Sequence, residues 1–533
     1  MGQQKAEVES QGFQIQMRKI KIREKALMSS DVKSLGNVDR RDLLKGAAVG
    51  ISAALTSNLF LSQTAGAAVT TNALWIPPKL SGKTFNLKLA KGTKQIAKGA
   101  LTNTYSYNGA GFWGPTLFLQ KGENVTLNVT NNLSESTTTH WHGLHLPAEM
   151  DGGPMQVIKE GKTWSPKFKV MNNAATFWYH PHMHETTQKQ LALGAGGFIF
   201  VQDSIESALS LPRDYGVDDI PLALGSRTLS TSNQIGQTTI YGDTMLTNGV
   251  MNAQVSAPAQ FIRLRLLNIE SERVLNLGFS DGRKFYVIAT DGGLVDKPIS
   301  VKKLLMVPGE CYEILLDLSN DKVGSLIKLR SFNKGLAFGY GGSEPSASGE
   351  FGSLLNNIDF DVLAIKVAKP TKNGISTLPS TLTKNVFPTK SQVTKARTIA
   401  ITDDGPGTPF KFDGKSYSMD YINQRVKLGA IEAWTISNDR IFGHSFHIHD
   451  VQFKIISRST GSIPVHENGW KDTFSIMPNE NVTFVAKFDD YASSEWPFMY
   501  HCHMANHEDG GLMGQFLVEK EISSASPSAT HTH

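Results

Sequence analysis

The chain has 533 residues, 40% of them hydrophobic and 19% charged, with abundant Gly and Pro, and that length is too great for one hydrophobic core. A formal charge of +5 is small for such a chain and gives no electrostatic case for nucleic acid binding. Two cysteines cannot form a disulfide framework, and an intramolecular disulfide is not expected.

Residues 1–67 read as a targeting region. Asp39-Arg40-Arg41-Asp42-Leu43-Leu44-Lys45 precedes an apolar stretch over residues 46–61 and the small residues Ala65-Gly66-Ala67, a cleavage site before Ala68. This is the pattern of a twin-arginine export signal, which implies a bacterial protein passed folded through the twin-arginine machinery into the periplasm or beyond. The apolar stretch is short for a span of about 20 residues, so no stable membrane span is expected in the mature protein. The charged segment upstream of Asp39 is long for such a signal, which makes Met28 a candidate start. After cleavage about 465 residues remain, enough for three domains of about 150. We divide them into domain 1 (68–205), domain 2 (206–370), a linker (371–395), domain 3 (396–522) and a disordered tail (523–533).

In domain 1, Val125-Thr126-Leu127-Asn128-Val129-Thr130-Asn131 alternates like a half-buried strand and leads to His140-Trp141-His142. Asp151-Gly152-Gly153-Pro154 follows, then Phe177-Trp178-Tyr179-His180-Pro181-His182 and a short helical pattern over residues 188–193. His145 and His184 lie just beyond the pairs and are read as loop groups. Domain 2 carries a similar strand, Ile262-Arg263-Leu264-Arg265-Leu266-Leu267-Asn268, but no histidine follows it, and the domain is read as a spacer. Cys311 is read as a buried structural thiol, and the Gly- and Ser-rich residues 339–353 as a mobile loop or insertion. The linker is polar, with Pro, Ser and Thr. Domain 3 repeats the strand as Ala433-Trp434-Thr435-Ile436-Ser437-Asn438, followed by His444-Ser445-Phe446-His447-Ile448-His449. It ends with Phe498-Met499-Tyr500-His501-Cys502-His503, His507-Glu508 and Leu512-Met513. His531 and His533, in the tail, are poor ligand candidates.

These short alternating runs favour an all-β protein of Greek-key sandwiches. In extended chain, alternate side chains share a face. Four His-x-His pairs therefore offer eight imidazoles, enough for three metal ions with open positions. The odd steps turn His444 and Cys502 the other way, and with His507 they make a His2Cys set, the signature of an electron-transfer copper with a weak axial position. Ten of the fifteen histidines fall into this pattern.

On these four motifs, from about residue 72 to about residue 520, the chain resembles the multicopper oxidases of the bacterial three-domain type, which includes laccase-like enzymes and copper-efflux oxidases. The resemblance implies three cupredoxin-like domains and four copper ions. His444, Cys502 and His507 would hold type 1 copper, His140 and His447 type 2, and His142, His180, His182, His449, His501 and His503 the type 3 pair. The type 1 axial neighbour would be Leu512, where relatives place a methionine, with Met513 as the fallback. Electrons from a donor at type 1 copper would pass through Cys502 to His501 and His503 and reduce O2 to water, with Asp151 and Glu508 relaying protons. A turn role for Asp151 and a solvated surface position for Glu508 are the plainer alternatives. No methionine lies between Met306 and Met419, and Asn438-Asp439-Arg440-Ile441-Phe442-Gly443-His444 carries none either, which disfavours a Cu(I) site. We therefore expect a monomeric laccase-like oxidase of phenolic donors. A periplasmic cuprous or metal-ion oxidase in copper tolerance is the alternative, and a copper-free, cell-division-type structural protein the minor one.

Overall fold

The computed structural model describes residues 71–405 and 407–522. The region read as an export signal and the tail histidines His531 and His533 lie outside the described residues.

Six sheets stack as three successive sandwiches. In the first, one five-stranded sheet ends with Gly197–Gln202, Ala175–His180 and His140–His142 side by side, and a second five-stranded sheet built on Thr84–Lys94 and Asn124–Asn132 faces it. Asn124–Asn132 alternates buried and accessible positions as its sequence requires, with Val125, Leu127 and Val129 turned into the core. The third sandwich repeats the plan. Ile431–Asn438 alternates in the same way in one sheet, and Met513–Glu519, Phe498–Cys502 and His444–Ile448 are neighbours in the other. The middle unit pairs a six-stranded with a seven-stranded sheet around its own apolar core. The architecture is thus all-β, in three cupredoxin-like sandwiches.

The middle unit departs from the sequence reading in two places. Phe261–Asn268 is buried on both faces. Its polar face is paired rather than solvated, with Arg263 on Glu313 and Glu206, and Arg265 on Glu313 and Asp219. Arg265 also donates to Thr176 of the first unit (3.0 Å), so alternation here marks an interface rather than a water-facing side. The 339–353 stretch is a folded loop, since Arg273 donates to Ser353 Oγ (2.9 Å) and Asn356 Oδ1 (2.9 Å) and so ties its end to the core.

Residues 371–394 form no strand but are packed down, with Leu382 buried and Phe387 on Trp470 (4.6 Å between centroids). The expected short helix is Thr187–Ala192. Its first backbone N–H groups, of Thr187 and Gln188, donate to the Asp509 carboxylate at 3.0 and 2.9 Å, which joins the first unit to the third. Cys311 and Cys502 are both free and buried. Among the described residues, no helix is long and apolar enough to cross a membrane.

Candidate metal centre

Strand register brings the histidines together. His140 pairs with His180 across one antiparallel ladder, and His447 with His501 across the other. Partners directly opposite share a face. The two ladders then meet, with the rings of His140 and His449 stacked at 3.8 Å and those of His142 and His447 at 3.9 Å. Three buried triads result: His140, His142 and His447; His142, His180 and His503; and His182, His449 and His501. Each draws on both terminal units.

Ring orientation shows what the triads suit. The Nδ1–H groups of His140, His180, His447 and His501 donate to the backbone carbonyls of Asp151 (3.0 Å), Pro181 (2.9 Å), Asp472 (2.9 Å) and Cys502 (3.0 Å). His449 Nδ1 donates to Asp151 Oδ2 (2.6 Å), and His182 Nδ1 faces Glu508 Oε1 at 3.3 Å. Six Nε2 lone pairs are thereby turned inward. Those of His140, His180 and His447 have no partner, while His501 Nε2 sits 3.1 Å from His182 Nε2 and 3.3 Å from His449 Nε2. His142 is reversed, with Nε2 toward Asp472 Oδ1 (3.4 Å) and Nδ1 3.2 Å from His503 Nε2. Burial, reinforced by neighbouring imidazoles, holds His142, His180, His182 and His449 well below the usual range and His501 and His503 near 3. Neutral, dry and convergent lone pairs are what an imidazole-binding transition metal needs.

The fourth group lies behind the strand. Cys502 Sγ is 3.6 Å from both His444 Nδ1 and His507 Nδ1, and these nitrogens are 3.2 Å apart. Burial pushes the thiol up to about 12, so a metal loaded there must displace its proton. Phe410 packs on both rings, 4.6 Å from His444 and 4.8 Å from His507. Met513 pairs with His501 and shares its face, whereas Leu512 belongs to the same apolar cluster as Cys502.

The acids follow an approximate two-fold pattern. Exchanging His140 with His447, His142 with His449, His180 with His501 and His182 with His503 maps one type of triad onto the other. The same exchange maps Asp151 onto Asp472. Each offers its carbonyl to His140 or His447, and its carboxylate to His449 or His142. Asp151 caps the Ala148–Met150 turn, and the next residue must be glycine, because a Cβ on Gly152 (φ +83°) would meet the Thr139 carbonyl oxygen at 1.8 Å. Asp151 is therefore both a turn residue and a buried partner of the cluster. Glu508 is also buried, 3.3 Å from His182 Nδ1 and from His501 Nδ1, which overturns the surface alternative.

Sequence reasoning missed Asp472 and Glu272. No local pattern marks Asp472, which precedes Thr473–Ile476, a strand that the fold brings beside His444–Ile448. Glu272 comes from the middle unit to within 3.7 Å of His507 Nε2, and burial raises it to about 7. His145 bridges Asp450 (2.7 Å) and Asp490 (3.1 Å), and His184 packs on Tyr417, so both stand outside the triads.

Residues 88–205, 221–326 and 385–521 each match a family described as multicopper oxidase. The multicopper oxidase mco of Staphylococcus haemolyticus is 34% identical over 445 residues, covering 82% of this chain and 88% of that one. The cell division protein FtsP of Escherichia coli is 30% identical over 475 residues, covering 85% and 94%. Among solved structures, a laccase-like multicopper oxidase, CueO, from the lignin-degrading bacterium Ochrobactrum sp. aligns with a TM-score of 0.75 at 32% identity, covering 84% of this chain and all of that one. Sequence, fold and convergent ligands agree: the chain belongs to the multicopper oxidases.

Proposed function

We propose that this oxidoreductase is a laccase-like oxidase of phenolic and similar one-electron donors, with O2 as acceptor. In this reading four copper ions bind, one at His444, Cys502 and His507, one at His140 and His447, and two at the remaining six histidines. Copper supplies the one-electron steps and the site of O2 reduction. The protein keeps ten imidazoles at those sites, excludes water from them, and places Asp151 and Glu508 where protons can be held beside His449, His182 and His501. The twin-arginine motif is taken as the export address.

The observation that carries the donor class is the ground around the His2Cys set. Phe410 covers His444 and His507, and Phe442 just upstream packs on Phe338 and Phe351 at 6.2 and 6.1 Å. No methionine occurs between Met306 and Met419. Aromatic rings suit an aromatic donor, whereas Cu(I) calls for thioethers. The similarity to an oxidase reported to act on lignin model compounds points the same way. The cell-division role carried by the name of the FtsP relatives leaves the converging imidazoles of this chain unexplained.

The test is steady-state O2 uptake with a phenol, Cu(I) and Fe(II) side by side. Phenol turnover without added Cu(II) is expected. Turnover that depends on added Cu(II), or oxidation confined to metal ions, would return the reading to a cuprous or metal-ion oxidase.

A second expected result concerns potential. With Leu512 packed in the same apolar cluster as Cys502, a copper held by His444, Cys502 and His507 would receive no further donor from this position, and its oxidised form would be stabilised less. Leu512→Met should lower the type 1 potential and Met513→Leu should leave it nearly unchanged. The reverse order in a potentiometric titration would make Met513 the axial residue.

A further inference from the structure

Directly behind Asp472 lies a buried group of charges that the proposed reaction does not use. Lys471 is fully buried, with Nζ 2.7 Å from Asp291 Oδ2, 2.7 Å from Glu310 Oε1 and 3.1 Å from the Tyr312 hydroxyl, all three in the middle unit. Burial alone would discharge the ammonium, but the two carboxylates outweigh it and keep it charged. Such a group is costly, and a well-packed apolar side chain in its place is often neutral or stabilising. General stability is therefore a poor reason for it.

Its contacts suggest a better one. Asp291 Oδ1 accepts from the Cys311 N–H (2.8 Å), and Asp291 Oδ2 also lies on the backbone N–H groups of Asp472 (3.3 Å) and Thr473 (3.4 Å). From the other side, Lys471 exchanges both backbone hydrogen bonds with Phe453, at 2.7 and 3.0 Å. The 471–473 segment is thus clamped, and it carries three groups that orient the cluster. The Asp472 carbonyl accepts from His447 Nδ1 (2.9 Å), and Thr473 Oγ1 lies 3.0 Å from the same nitrogen. Thr473 Oγ1 donates to Asp472 Oδ1 (2.9 Å), which faces His142 Nε2 (3.4 Å). These contacts choose which ring nitrogen carries the proton, leaving His447 Nε2 and His142 Nδ1 toward the centre. Asp151 gets its place from a local Asp-Gly turn, whereas Asp472 gets its place from the neighbouring unit.

We propose that Lys471, gripped by Asp291 and Glu310, is a positioning residue through which the middle unit sets the orientation of His447 and His142. This rests on the copper reading above. It makes the unit that supplies no ligand a determinant of how firmly the His140/His447 copper is held.

The test uses the full chain loaded with copper and compares wild type with Asp291→Asn. In the variant one of the acceptor oxygens becomes a donor, while Glu310 still pairs Lys471. Partners of this kind typically change metal affinity about 10–100-fold. The expected result is a fall of that size in the resistance of type 2 copper to a chelator, followed by electron paramagnetic resonance and copper counting. The blue absorption of the Cys502 site should survive the same titration unchanged. If Asp291→Asn does not fold, Lys471→Met combined with Glu310→Gln, which removes one charge of each sign, should give the same selective loss. Unchanged type 2 retention, or parallel loss from both sites with a lowered melting temperature, overturns the proposal. A wild type without blue colour or type 2 signal would instead strike down the copper reading itself.

Discussion

Cys502→Ser is expected to abolish the blue colour and donor oxidation while leaving the copper of the histidine triads in place. The colour implied by family resemblance comes from a thiolate on copper, and Cys502 Sγ is the sulfur that faces His444 and His507 at 3.6 Å. A serine hydroxyl is a hard, weak ligand for that position. The neighbouring His501 and His503 belong to the triads, and the His501 Nδ1 bond is to a backbone carbonyl that the substitution leaves alone. Absorbance, copper counting and electron paramagnetic resonance on one sample check each part. A variant that stays blue would remove Cys502 from the ligand set.

Asp151→Asn should slow reoxidation of the reduced enzyme by O2 about 10²–10⁴-fold, the usual range for a general acid–base group. An asparagine oxygen can still accept from His449 Nδ1, so the ring keeps its orientation. It cannot hold a proton for delivery, and that step alone is lost. In the proposed reading electrons enter at the Cys502 site, on the far side of the strand, so their uptake should keep its wild-type rate. Stopped-flow mixing separates the two, as anaerobic bleaching by donor and as return of colour with O2. The opposite order, or full turnover with intact copper, would leave Asp151 a turn residue and hydrogen-bond acceptor only.

What could be read in advance was what parity governs. Strand alternation is a property of the local chain, so it separated Cys502 from His501 and His503, and His444 from His447, without any knowledge of the fold. Alternation failed at Arg263 and Arg265, because it reports polarity and not what lies opposite, here Glu206, Asp219 and Glu313. Asp472 and Glu272 carry no spacing signal, since each meets its histidine through packing between distant segments. The middle unit looked like a spacer because it has no ligand. Beside the acids on Lys471 and His507, its grip uses backbone and small residues: Ser445 Oγ donates to the Pro308 carbonyl (2.6 Å), and a Cβ on Gly309 would stand 2.7 Å from the His503 ring.

The two-sided make-up of the triads has a consequence for biosynthesis. Neither terminal sandwich alone owns a complete triad, since each triad needs at least one ring from the other. The high-affinity pocket therefore comes into being only when the last sandwich has been synthesised, folded and closed against the first. Metal that binds only this closed form shifts the equilibrium toward it by mass action. In the proposed four-copper reading, uptake of the cluster copper would then be a late event, and a chain caught with its end sandwiches apart could fill the Cys502 site and be blue, yet be unable to turn over O2.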